Sequence, residues 1–143
     1  MNKYEENLFE SLIQGEMSAI ETYNQLLEKL ESPAEKSKVV SITNNHKNAL
    51  EQLKLYANYK GADTPTDSGY WGSFAKGVTA TAKLFGETAT VKALKEGEKH
   101  GLKEYKDALA TNELSEVPKK FIKDKFVPNM ELHINTLDAI MKN

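Results

Sequence analysis

The chain has no cysteine. That excludes disulfides, a thiolate nucleophile, zinc fingers and iron–sulfur ligation, so any bound metal must be held by oxygen and imidazole. Long apolar runs are also missing. The longest span only a few residues, too short to cross a bilayer, and Met1 to Gln14 lacks the basic and apolar regions of a signal peptide. A soluble, cytoplasmic protein with no membrane partner is expected. Charge of one sign is absent too: 19 basic and 21 acidic residues are interspersed for a net −2. With no basic stripe to follow a phosphate backbone, nucleic acid is not an expected partner. No Ser-His-Asp order, phosphate-cradling glycine loop or dinucleotide fingerprint occurs, which leaves the common hydrolase and nucleotide-binding classes without support. A length of 143 residues fits one domain, 1–143, able to bury roughly 70% of the surface its unfolded chain exposes.

What is present is helical periodicity. From Lys3 to about Glu31, Leu8, Leu12, Ala19, Ile20, Tyr23, Leu27 and Leu30 recur at spacings of three, four and seven without a proline. Ser32-Pro33-Ala34-Glu35 then reads as a capping box with proline at the first helical position. A second helix therefore starts almost where the first stops, and so short a connection forces the two antiparallel. Its seam is Val39, Thr43, His46, Leu50, Leu53 and Ala57, and Gly61 ends it. Each helix would be about 40 Å long at 1.5 Å per residue.

Residues 62 to 69 are rich in turn formers, and Trp71, Phe74, Val78 and Phe85 follow at helical spacing. This predicts a crossover with a short extra helix, long enough to run the length of the bundle. Trp71 and Phe74 either pack on the bundle or form a binding surface. A third helix is expected from about Glu87 to Thr111. A fourth begins around Pro118 and runs to the C-terminus with Phe121, Ile122, Phe126, Met130, His133, Leu137 and Ile140 along its seam. Pro128 interrupts it, so a kink is expected there. Lys119, Lys120, Lys123 and Lys125 read as a solvated face. An apolar face left around the crossover could form a homodimer.

The chain also repeats itself. Leu12, Gly15, Glu16, Tyr23 and Leu27 return as Leu94, Gly97, Glu98, Tyr105 and Leu109, an offset of 82 residues, with Ala19 and Ile20 becoming Gly101 and Leu102. His46, Asn48 and Leu50 return as His133, Asn135 and Leu137, an offset of 87. Two helical hairpins related by a pseudo-twofold axis would put Glu16 and Glu98 on opposite helices and the two histidines on the others. Both glutamates fall inside apolar seams, where an ionised carboxylate costs several kcal/mol unless it is paired, hydrogen-bonded or bound to a cation. Carboxylates with imidazoles suit iron, zinc or manganese, and Tyr23 and Tyr105, one heptad on, could hydrogen-bond the ligands. The competing reading is a metal-free bundle in which each glutamate, at a seam edge, reaches water or bonds a tyrosine on the facing helix. His100, two residues from Glu98, falls on another face and is expected to be exposed.

The run Gly15-Glu16-Met17-Ser18-Ala19-Ile20-Glu21-Thr22-Tyr23 resembles the first helix of the ferritin-like superfamily, and Gly97, Glu98 and Tyr105 resemble the third. With Asp67-Ser68-Gly69-Tyr70-Trp71 before the third long helix, the pattern more closely resembles an uncharacterised bacterial family of ferritin-like four-helix proteins. The resemblance implies an all-α four-helix bundle of two αα-hairpins with a long crossover, and Glu16 and Glu98 as metal ligands. Di-iron members carry Glu-x-x-His on the second and fourth helices. Three residues before His46 and His133 this chain has Thr43 and Met130. Glu16, His46, Glu98 and His133 are thus enough for one divalent ion but poor for two ions 3.5 to 4 Å apart, which argues against ferroxidase or oxygen-activating chemistry. The resemblance leaves two outcomes: one bound ion, or a structural or partner-binding bundle with none.

Overall fold

The computed structural model describes residues 1–69, 76, 77, 80 and 85–142. They form an all-α four-helix bundle with no strand among the described residues. Helix α1 (Lys3–Leu26) starts where the Asn2 side chain accepts the Glu5 N–H at 2.9 Å, and closes in a 3₁₀ turn over Leu27–Lys29. Helix α2 (Pro33–Tyr59) starts with proline in its first turn, and the Ser32 hydroxyl accepts the Glu35 N–H at 3.4 Å. The Glu35 carboxyl shares a hydrogen bond with Glu87, which raises its pKa. Gly61 ends the segment with φ of 79°, a left-handed conformation open to glycine. Helix α3 spans Glu87–Ala110.

The fourth rod is built in three pieces: α4 (Glu116–Phe121), a π-helical turn (Ile122–Phe126) and α5 (Val127–Met141). The irregularity expected at Pro128 lies just ahead of it. Val127 N–H bonds to the carbonyl of Ile122, five residues back, and such a widened turn takes in an extra residue without breaking the rod. Pro128 then sits in the first turn of α5, the helical position that best tolerates a missing N–H. The shift of offset from 82 to 87 residues arises between Tyr105 and His133, and the π turn lies in that interval.

Helix α1 packs on α2 and α3 on α5, while α1 faces α3 and α2 faces α5. The Tyr23 hydroxyl reaches Glu98 and the Tyr105 hydroxyl reaches Glu16. That pairing requires α1 and α3 to run antiparallel. Since α2 ends beside the start of α1, with Tyr56 stacked on Phe9, the crossover covers the length of the bundle. The short helix expected within it, with Trp71, Phe74 and Val78, lies outside the described residues; Phe85 is exposed.

Two apolar clusters fill the interior. One contains Phe9, Leu12, Ile13, Leu53, Ile122 and Phe126; the other contains Leu26, Leu30, Val39, Val91, Leu137 and Ile140. Fully burying such a side chain is worth roughly 1.5–3 kcal/mol. The seam of α1 includes Phe9, Ile13 and Leu26 in place of Leu8 and Ile20, which are half-buried. At one end Glu5 is also buried, and its Oε2 accepts both the N–H and the hydroxyl of Ser115 at 2.6 Å, capping α4 from another helix. Its Oε1 has no partner. No helix among the described residues is long and apolar enough to cross a membrane.

Candidate metal centre

Between the two apolar clusters lies a layer of polar side chains. Glu16, His46, Glu98 and His133 are each 5% exposed or less, one from each rod, and Tyr23 and Tyr105 are equally buried. All six side chains expected at the site therefore meet. His46 is at the centre: its Nδ1 lies 2.6 Å from Glu16 Oε2 and its Nε2 2.6 Å from Glu98 Oε1. The Tyr23 hydroxyl donates to Glu98 Oε1 and the Tyr105 hydroxyl to Glu16 Oε1, both at 2.5 Å. His133 Nδ1 lies 3.2 Å from Glu98 Oε2, and its Nε2 3.3 Å from Asn45 Oδ1. The rings of His46 and His133 are tilted together with centroids 5.1 Å apart.

The protonation pattern follows from these contacts. An ionised carboxylate only accepts hydrogen bonds, so a ring touching one at each nitrogen must carry both hydrogens. Burial works against a charge on His46, but the carboxylates of Glu98 and Glu16 outweigh it and hold the imidazole well above its usual pKa. Burial likewise opposes the charge on Glu98, and the imidazoles of His46 and His133 overcome it, lowering the carboxyl to about 2. Burial first, then the charge of Glu98 for Tyr23 and of Glu16 for Tyr105, push both phenols well above their usual range. Both therefore remain donors. The two inward glutamates are not left uncompensated: one imidazolium and two phenols satisfy them.

The donor set also meets the requirements of a metal ion. One ligand atom each from His46, Glu98 and His133 lies within 4.8 Å of the others, and ligands on opposite sides of an ion bound at about 2.1 Å stand roughly 4.2 Å apart. The 3.2 Å between Glu98 and His133 is close to an edge of a tetrahedral site, roughly 3.4 Å at such a radius. The 2.6 Å contacts of His46 are hydrogen-bond lengths. For metal, His46 must lose a proton; Glu16 stands on the opposite ring nitrogen of His46 and outside this group of three, so it reaches the same ion only if the His46 ring moves from between the two carboxylates. The buried layer then holds two carboxylates and two imidazoles, so a divalent ion leaves it neutral.

The positions three residues before each histidine are filled without carboxylates. The Thr43 hydroxyl donates to its own helix at Val39 O, 2.9 Å away. Met130 is 4% exposed and belongs to an apolar cluster. Its Cε would lie 2.8 Å from a Cβ at Gly101, so glycine there makes room for it. A cavity of about 60 Å³ opens between α1 and α3, lined by Gly15, Ala19, Gly97 and Gly101 as well as by Glu16, Glu98, His46 and both tyrosines. Glu104 also lines it, with its carboxyl raised by burial and accepting the Ser11 hydroxyl at 2.5 Å. Asn45 and Glu104 escaped the sequence reading. Neither breaks the apolar seam, and only the three-dimensional packing brings them to the layer. His100 is exposed, as its spacing predicted.

No curated protein and no solved structure matches the chain. One family model does, over residues 5–111, from the first turn of α1 to the end of α3, taking in Glu16, Tyr23, His46, Glu98 and Tyr105. The chain therefore belongs to the family described as Domain of unknown function (DUF2383).

Proposed function

We propose that this protein is a single-domain, ferritin-like bundle that binds one divalent metal ion through Glu16, His46, Glu98 and His133. The observation that carries the reading is the buried convergence of His46, Glu98 and His133, whose ligand atoms all lie within 4.8 Å of one another. Tyr23 and Tyr105 orient the two carboxylates from outside the ligand set by donating to their Oε1 atoms. Asn45 fixes the ring of His133 in the same way. The antiparallel α1 and α3, the reciprocal tyrosine pairs and the bundle-length crossover support kinship with the ferritin-like superfamily and an internal duplication. A bound ion would supply Lewis acidity to a small molecule sharing the cavity. Thr43 and Met130 leave no bridging carboxylates, so the reading includes no di-iron chemistry, and iron, zinc and manganese all suit the donors. The balanced charge argues against a nucleic-acid partner.

The test is elemental analysis of tag-free protein dialysed against iron, zinc or manganese. About one ion per chain is expected for the wild type, and the Glu16→Ala, Glu98→Ala double variant should retain none. A wild-type content near zero under all three metals sinks the idea.

One observation favours a second reading, a metal-free structural or partner-binding bundle. His46 already satisfies both glutamates through its two ring nitrogens, so the layer is complete with a proton where the ion would sit. On that reading added metal leaves the unfolding midpoint of the wild type unchanged.

A further inference from the structure

Gly97 is unusual for its place. It sits in the interior of α3, where only proline is less favourable than glycine, yet the common reasons for glycine do not apply. Its backbone is not left-handed. A Cβ built on it meets nothing within 4 Å, in contrast to Gly101, whose Cβ would strike Met130. Gly97 thus makes room for no described protein atom. The space it leaves is the cavity between α1 and α3.

That cavity joins solvent to the buried layer over one residue. Gly97 is exposed, and its neighbour Glu98 is 2% exposed; both line the cavity. Small residues, Gly15 and Ala19 on one wall and Ala93 and Gly101 on the other, keep it open. Among the described residues three carboxylates, Glu16, Glu98 and Glu104, line it with no lysine or arginine, a lining that attracts cations and repels anions. Its volume of about 60 Å³ has room for roughly four to six waters at 10–15 Å³ each.

We infer that Gly97 is the port of the polar layer, the gap through which a divalent cation passes from solvent to Glu98 and Glu16, and that a side chain at this position closes it. The inference rests on the metal-binding reading for the identity of the traveller. The port itself belongs to the metal-free protein as well.

Two readouts on full-length, tag-free protein test it, with Gly97→Ala, Gly97→Leu and Gly97→Gln compared to wild type. The open space around position 97 lets all three fold, and helix propensity favours each over glycine. In the first, metal-free protein is mixed rapidly with cobalt(II), and the loading rate is followed by absorbance. Leucine and glutamine should slow loading about ten-fold or more, since entry then requires local opening of the bundle, while the final stoichiometry stays that of the wild type. Loading of both variants at the wild-type rate overturns the port and leaves the metal site standing. The second needs no metal: exchange of the His46 ring hydrogens with water is followed by NMR, with α2 amides distant from the layer as controls for global opening. A selective slowing in Gly97→Leu and Gly97→Gln supports the port even if cobalt does not bind, a result that would instead remove the metal-binding reading. Exchange unchanged relative to the controls overturns the port.

Discussion

Glu98 is the residue on which the polar layer turns. It accepts from Tyr23 and from His46 at one oxygen and faces His133 at the other. Replacing it with alanine leaves the His46 imidazolium with one carboxylate fewer and two other donors without acceptors. Breaking a buried ion pair from one side costs about 3–5 kcal/mol, and chelator-treated Glu98→Ala should lose stability of that order in urea unfolding. Tyr23→Phe and Tyr105→Phe each remove one hydrogen bond to a charged acceptor, worth about 1.5–3 kcal/mol. Because the two contacts mirror one another, the two variants should lose similar amounts; a large loss in only one would contradict the reciprocal arrangement.

The same residues set a pH window for the metal-free protein. Glu98 is lowered to about 2 from an ordinary value of about 4.3, so its stabilisation is present above pH ~4.3 and is lost as pH falls toward 2. His46 is raised above its ordinary value of about 6.5, so its contribution is complete below pH ~6.5 and is lost as pH rises through the higher folded value. In chelator, urea midpoints should therefore be highest between about pH 4.5 and 6.5. A midpoint that climbs steadily from pH 6 to 9 would contradict the imidazolium at the centre.

Among the helices, the caps separate what can be read locally from what cannot. Ser32 and Pro33 announce α2 in the sequence, because a cap acts within one turn. Ser32→Ala should cost about 1 kcal/mol. Ser115 is capped by Glu5, 110 residues away, and nothing local to either residue predicts it. Glu5→Ala leaves the Ser115 N–H and hydroxyl without their acceptor, and a loss of about 1–3 kcal/mol is expected; a neutral effect on the urea midpoint would show that water replaces it. The π turn was half-legible: Pro128 signalled an irregularity, but whether a rod kinks or widens depends on its packing against α3.

Across the whole molecule, four rods, their antiparallel hairpins and the inward carboxylates were legible because they depend on periodicity and on charges that interrupt it. Glu16 and Glu98 stood out as acids within apolar seams, and the repeat supplied His46 and His133. The cavity, Glu104 and Asn45 were not legible, since they arise from how α1 meets α3 and α2 meets α5. The fold thus sets a buried acid–imidazole layer between two apolar clusters, held by a proton in one state and suited to a metal ion in the other.

The most direct measurement is isothermal titration of tag-free, metal-free protein with zinc(II) or manganese(II) at pH 6, in buffers of different ionisation heat. The account predicts saturation at one ion per chain, release of about one proton as His46 gives up its second hydrogen, and loss of both signals in the Glu98→Ala variant. Absence of saturable binding by the wild type, or binding that persists unchanged in Glu98→Ala, would contradict it.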